Sequence, residues 1–345
     1  MKLASLRGPR DGVLVVVSRD LSRALRVPEV APTLQAALDA WASTAPALRE
    51  ACRRLEAGDA RGAFPLDPGQ LAAPLPRAHQ WADASAYLSH VERARRARGA
   101  GLPPDLRSEP LIYQGGSDVL LGPRDDIAVA SEDQGADFEA EVAVVVDDVP
   151  MGVGPEAAGA RVLLLMLAND VTLRNLVPAE LARGLGFFHA KPPTAFSPVA
   201  VTPDELGPAW DGRRLRRPLE ARLNGKLFGA PDAGTDMSFD FPTLVAHAAR
   251  TRPLGAGSII GSGTVSNRDP SRGCCCIAER RALELLEEGE PRTPFLAFGD
   301  RVEIEMVDDD GRSIFGAIDQ RVVRYEPPAR GSAPGADPRR SPRWS

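Results

Sequence analysis

Glu139 and Glu141 stand one residue apart in Asp137-Phe138-Glu139-Ala140-Glu141-Val142, a run that alternates acidic and apolar residues and then turns wholly apolar through Val146. Side chains two apart on a strand point to the same face. Both carboxylates therefore aim one way, from a segment otherwise built for burial. Like charges side by side repel unless a cation or a proton lies between them. A hard divalent ion with oxygen ligands resolves that repulsion. For the pair alone, a solvent-facing strand edge with two free acids is an equal alternative.

Other acids stand where they could join the pair. Asp170 ends the apolar run Val162 to Asn169, where an acid either caps the next element or serves a site. Asp83 precedes His90 by seven residues; on a continuous helix the two would lie two turns apart on one face. The plainer readings are a helix cap for Asp83 and a half-exposed histidine for His90. No second histidine stands three or four residues from His90, so it suits acid–base work better than ligation.

The elements that must position these residues are short and numerous. Strands are expected at Lys2-Arg7, Val13-Ser18, Val142-Val146, Leu219-Leu223, Ser258-Ile260, Arg301-Met306 and Ile318-Tyr325, separated by turn signals such as Asn224-Gly225 and Asp309-Asp310-Gly311. Helices are expected over 33–56, 155–168 and 242–250. That distribution favours a β-rich fold over a doubly wound α/β fold. A small unit over 1–75, a main domain over 76–326 and a disordered tail over 327–345 follow from the proline-dotted linker near Leu75-Pro76 and the Pro/Gly/Arg-rich end.

Composition removes several classes of function. The chain has 345 residues, 43% of them hydrophobic, and a net charge of −5, so a nucleic-acid footprint is not expected. The short cluster Arg93, Arg95, Arg96 and Arg98 reads as a solvated helix face. No apolar run reaches the length of a membrane span, and the N-terminus lacks a signal-peptide pattern. Cys274, Cys275 and Cys276 are adjacent, which suits neither a disulfide framework nor a tetrahedral zinc site. A reduced, cytoplasmic protein is the simplest expectation. The absence of G-x-G-x-x-G and P-loop spacings points away from nucleotide cofactors.

Taken together, ordered motifs across residues 76–325 resemble the fumarylacetoacetate hydrolase family. They are Asp83 with His90, Glu139-Ala140-Glu141, Asn169-Asp170 followed by Arg174, Lys191 ahead of Phe196-Ser197-Pro198, Gly261-Ser262-Gly263-Thr264-Val265-Ser266, and Phe298-Gly299-Asp300-Arg301-Val302-Glu303-Ile304. The resemblance implies a β-rich α+β fold: a mixed β-roll catalytic domain with a small β-rich N-terminal domain, assembled as a homodimer. It makes Asp83, Glu139, Glu141 and Asp170 the ligands of Mg²⁺, or of Ca²⁺ or Mn²⁺, and all four are the hard donors such ions prefer. It makes His90 the water-activating base and Glu279 its orienting partner. Arg174 and Lys191 become cations near the substrate's oxygens, and Tyr113 and Thr264 become substrate contacts. Without the resemblance, Glu279 reads as a solvated acid, Tyr113 as a half-buried strand tyrosine, and Arg174, Lys191 and Thr264 as surface or turn chemistry.

The activity so implied is hydrolysis of a carbon–carbon bond in a 2,4-diketo acid. Fumarylacetoacetate, cleaved to fumarate and acetoacetate in the last step of tyrosine breakdown, is the favoured substrate. Another acylpyruvate, such as fumarylpyruvate or maleylpyruvate, is the nearest rival. Family members without the histidine–glutamate pair act instead as hydratases, isomerases or decarboxylases. A metal-binding dimer without activity is the reading from another class. Two departures stand out. Val177 occupies the place where the animal hydrolases carry a glutamine. Glu279 lies fifteen residues after Thr264, where their glutamate lies fourteen after the threonine, so a one-residue difference in the loop is implied.

Overall fold

The computed structural model describes residues 1–327; the expected tail, from residue 328 on, lies outside them. One large sheet organises the molecule. Its strands run in the order Phe64–Pro65, Arg23–Arg26, Val13–Val17, Lys2–Leu6, Ala200–Val201, Val162–Asn169, Ala140–Val146, Ile259–Gly261, Trp81–Ala84 and Ile112–Gly115, with Ala195–Phe196 also paired to Val162–Asn169. A second sheet orders Lys226–Gly229, Glu220–Leu223, Arg301–Glu305, Ile318–Arg324 and Ile127–Val129. The arrangement is the sheet-rich α+β fold expected. Lys2 pairs with Val201, so the N-terminal strands continue the same sheet that carries the central carboxylates.

Ala140–Val146 is buried along its whole length. Val142, Val144 and Val146 enter one apolar cluster, while Ala143 and Val145 enter another on the opposite face. A strand covered on both sides loses the apolar–polar alternation of a half-buried one. That explains why the run turns wholly apolar after Glu141.

The same physics corrects one expectation. Residues 155–168 are not one helix: a short helix at Pro155–Gly159 is followed by the strand Val162–Asn169. A short apolar run buried on both faces carries no period that separates helix from strand. Here pairing with Ala140–Val146 decides. Trp81 to His90 is likewise split, into the strand Trp81–Ala84 and the helix Leu88–Ala97. The N-terminal helix is broken into Leu34–Leu38, capped by the Thr33 hydroxyl, and Trp41–Ala57. Phe241–Ala248 forms close to where a helix was expected, capped by Asp240. Asn224 and Gly225 both take positive φ, at 53° and 76°, and close the hairpin that their sequence signals.

Candidate functional site

Register puts the carboxylates together. Gly261 pairs with Asp83 on one side and Ala143 on the other, and Glu141 faces Ala168, two residues before Asp170. Asp83, Glu141 and Asp170 therefore sit where neighbouring strands begin or end. Each shares strand parity with residues of a single apolar cluster, Trp81, Ala143 and Ala168. Their carboxylate oxygens come within 4.8 Å of one another and all three side chains are buried. Gly261 supplies the room, since a Cβ there would meet Oδ1 of Asp83 and the Trp81 ring.

Electrostatics marks the cluster as incomplete on its own. Neither oxygen of Glu141 has a hydrogen-bond partner. Burial, then the charges of Asp83 and Asp170, hold the Glu141 carboxyl well above the usual carboxylate range. Burial and Asp170 push Asp83 up to about 8. Buried polar groups of native proteins normally find partners, so orphaned oxygens facing two further acids fit a hard divalent cation. Asp170 is already anchored: Thr194 Oγ1 donates to its Oδ1 at 2.6 Å and Tyr113 Oη to its Oδ2 at 2.6 Å.

Glu139 is held differently. Arg174 Nη2 donates to its Oε1 at 2.5 Å, and Lys191 Nζ to its Oε2 at 2.6 Å. Burial opposes its charge, but Arg174 and Lys191 outweigh burial and keep it below the usual range. Lys191 Nζ also donates to Asp170 Oδ2 at 2.5 Å and lies 5.1 Å from the centre of the Tyr113 ring. Burial works against the ammonium as well, yet Asp170 and Glu139 hold it above the ordinary lysine range. Lys191 thus bridges the three-carboxylate group and Glu139.

His90 comes from the helix Leu88–Ala97 and Glu279 from the helix Ile277–Glu288. His90 Nδ1 is 3.2 Å from Glu279 Oε2. Glu279, only 1% exposed, also accepts from Ser266 Oγ at 2.6 Å and Arg93 Nη1 at 2.5 Å. Burial raises this carboxyl, but His90, Ser266 and Arg93 together hold it below its ordinary value. Its helix is fixed at the N-terminus, where Cys276 Sγ accepts from the Glu279 amide and Asp137 accepts from the amides of Ile277 and Ala278. Asp137 also accepts from Arg174 Nε at 2.8 Å. The cysteine run is buried throughout, and Cys276 is a helix cap.

One cavity of about 410 Å³ joins the two groups, lined among others by Asp83, His90, Tyr113, Glu139, Arg174, Val177, Lys191 and Thr264. Asp170, Glu141 and Glu279 lie behind its wall. Thr264 lines the cavity beside these groups, and the Asp83 carboxylate accepts from the Gly263 amide at 3.0 Å. Arg93, expected on a solvated face, instead has a side chain only 13% exposed, packed against Glu279. Its position three residues after His90, on the same helix face, was the available signal. Thr194 carries no such signal, since it acts on Asp170 from a separate segment, whereas Asp137 shares strand parity with Glu139 and Glu141 and Ser266 closes the Gly261–Ser266 motif.

Sequence profiles of two paired domains match the chain: fumarylacetoacetate hydrolase C-terminal over residues 79–323 and fumarylacetoacetase N-terminal domain 2 over residues 1–77. The chain belongs to the fumarylacetoacetate hydrolase family. Among family relatives, an oxaloacetate tautomerase of Bacillus subtilis is 29% identical over 168 residues, 48% of this chain and 53% of that one. A 2,4-didehydro-3-deoxy-L-rhamnonate hydrolase of a Sphingomonas species is 26% identical over 162 residues, 46% of this chain and 54% of that one. Each match spans about half the relative's length. The crystal structure of maleylpyruvate hydrolase from Sphingobium, in complex with manganese(II) and pyruvate, superposes with a TM-score of 0.62 at 18% identity, covering 94% of this chain and all of that one. At that identity the likeness speaks for the family's fold. Among the described residues no helix is long and apolar enough to cross a membrane.

Proposed function

We propose that the protein is a divalent-metal-dependent hydrolase that cleaves a carbon–carbon bond in a 2,4-diketo acid. Fumarylacetoacetate is the first candidate, and fumarylpyruvate or maleylpyruvate the next. The observation that carries the reading is the pairing of two features across one cavity: a buried three-carboxylate cluster with orphaned oxygens, and a histidine backed by a buried glutamate.

In this reading Asp83, Glu141 and Asp170 hold Mg²⁺, Mn²⁺ or Ca²⁺, with Glu139 as the fourth carboxylate beside them. A divalent ion held there would offset the charge of the buried acids and would supply Lewis-acid polarisation of a 1,3-dicarbonyl substrate. His90 donates its Nδ1 proton to Glu279, which leaves Nε2 to accept a proton from water. The hydroxide so formed adds to the carbonyl carbon. Lys191 and Arg174, the cations on the cavity wall, stabilise the negative charge that develops on the carbonyl oxygen. The carbon–carbon bond then breaks, its electron pair leaving as the enolate of the departing half. The proton held on His90 goes to the enolate carbon, which restores the neutral imidazole. Tyr113 contacts the substrate, and Thr264 orients its carboxylate end. The protein is expected to work as a homodimer, and a small diketo acid is its expected partner.

A second reading has a specific observation behind it. The match to an oxaloacetate tautomerase, over 48% of this chain, is as extensive as the match to a sugar-acid hydrolase, over 46%. A tautomerase needs only proton transfer to and from an enolate, without a water nucleophile. A panel of acylpyruvates and oxaloacetate, assayed with Mg²⁺ or Mn²⁺ and with product identification, separates the two. Hydrolysis releases two fragments, whereas tautomerisation returns the same carbon skeleton.

A further inference from the structure

We propose that Arg93 is a positioning residue for the His90–Glu279 pair: it fixes and neutralises Glu279, so that His90 rests with its proton on Nδ1 and Nε2 free. This rests on the reading of His90 as the base of the site, and it adds a component that the reading alone does not supply.

The geometry divides the two oxygens of Glu279 between two tasks. Oε1 takes Arg93 Nη1 at 2.5 Å and Ser266 Oγ at 2.6 Å, while Oε2 faces His90 Nδ1 at 3.2 Å. Arg93 is held in turn, because its Nη2 donates to the backbone oxygen of Arg268 at 2.8 Å. Ser266 Oγ lies 2.8 Å from Ser89 Oγ, the residue before His90. Guanidinium, carboxylate and imidazole thus form a chain in which Arg93 and Glu279 each have a second support.

Charge explains why the chain needs its first member. A buried carboxylate facing a lone imidazole favours the imidazolium, because an ion pair is the obvious way to neutralise it. An imidazolium cannot accept a proton from water. With the always-charged guanidinium of Arg93 as the standing counter-ion, Glu279 no longer requires a positive His90. The carboxylate then acts as an acceptor that selects the Nδ1–H tautomer. The other groups turned toward His90 do not replace Arg93. Cys276 lies in the same cluster but caps the helix through its sulfur. Glu139 already has Arg174 and Lys191. Arg95 and Arg98 line the cavity without a bond to Glu279.

A purely structural role would make Arg93 a staple between the helix Leu88–Ala97 and residues 266–279. ¹⁵N NMR of the histidine side chains separates the two roles and needs no substrate, so it stands whether or not the hydrolase reading fails. In the wild type the signal of the neutral His90 ring should report the Nδ1–H tautomer that Glu279 Oε2 selects. In Arg93→Met the ring should stay protonated to higher pH, and any measurable kcat should fall roughly tenfold or more at little-changed KM. That is part of the roughly 10²- to 10⁴-fold a general base supplies. The acid limb of the kcat profile should move to higher pH. Arg93→Lys keeps the charge and should restore the wild-type signal. Arg93→Gln keeps one hydrogen bond without charge, should behave like Arg93→Met, and decides the matter if Arg93→Met does not fold. A His90 signal unchanged in Arg93→Met or Arg93→Gln, whatever their melting temperatures, overturns the proposal.

Discussion

His90 and Glu279 lie 189 residues apart in sequence, yet Nδ1 of one is 3.2 Å from Oε2 of the other. Two helices deliver them, and both are tied to the carboxylate cluster. Asp137, two residues before Glu139, accepts the first amides of the helix that carries Glu279. The loop from Ser262 to Ser266 runs from the end of the central sheet to the Glu279 carboxylate, with the Gly263 amide donating to Asp83 at 3.0 Å on the way.

His90→Ala is expected to lower kcat about 10²- to 10⁴-fold, the usual loss when a general base is removed. Divalent-ion binding should be retained, because His90 stands outside the three-carboxylate group. Calorimetric titration with Mn²⁺ alongside steady-state kinetics checks both halves. Activity within a few-fold of wild type would remove His90 from the role of base.

Glu141→Gln should lose divalent-ion affinity and should stabilise the metal-free protein. Both Glu141 oxygens are buried without partners beside two other acids, and removing one such charge relieves repulsion. Metal titration and thermal melts after chelation test the pair of effects. Unchanged ion affinity would exclude Glu141 as a ligand.

The metal-free protein should become less stable as pH rises through the window in which Asp83 titrates. Its carboxyl moves from an ordinary 3.8 to about 8 on folding. Between those values the folded state holds a proton that the unfolded state has lost, so stability falls with rising pH. Asp83→Asn removes this dependence. Its melting temperature after chelation should match wild type near pH 4 and exceed it increasingly toward pH 8. A constant gap across that range would contradict the assigned burial.

How much of this was legible in sequence depends on whether a residue acts locally. Glu139 and Glu141 announced themselves because strand parity is a two-residue rule, and Asn224-Gly225 announced its hairpin by the same kind of local chemistry. Val162–Asn169 was misread because its conformation is decided by strands on either side rather than by its own pattern. Arg93 was hidden for a related reason. Arginines at helical spacing ordinarily mark a wet face, and only the packing of a second helix turns this one inward. Lys191 gave no local sign that it would join Glu139 to Asp170.

Gly261→Ala should disturb the ion site and the core together. A Cβ at 261 would collide with Oδ1 of Asp83 and with the Trp81 ring, and the ring belongs to the core. The expected result is lower metal affinity together with a lower melting temperature. Wild-type metal affinity in this variant would show that Asp83 need not hold its observed place.

Lys191→Met keeps the aliphatic stem and removes the charge. A cation that stabilises a developing oxyanion matters more in the transition state than in the ground state, so kcat should fall more than KM rises. Val177 lines the cavity without a hydrogen-bond donor, which leaves more of that work to Lys191 and Arg174. A raised KM with kcat preserved would make Lys191 a substrate anchor instead.

The most direct measurement is product analysis after the metal-loaded protein meets fumarylacetoacetate, fumarylpyruvate, maleylpyruvate and oxaloacetate. The account predicts loss of the enol absorbance of at least one acylpyruvate, with one acid and one enolate-derived ketone or keto acid formed in equal amounts. Chelation should abolish it, and His90→Ala should slow it about 10²- to 10⁴-fold. Interconversion of oxaloacetate tautomers without carbon–carbon cleavage of any acylpyruvate would contradict it, as would full cleavage by the metal-free protein.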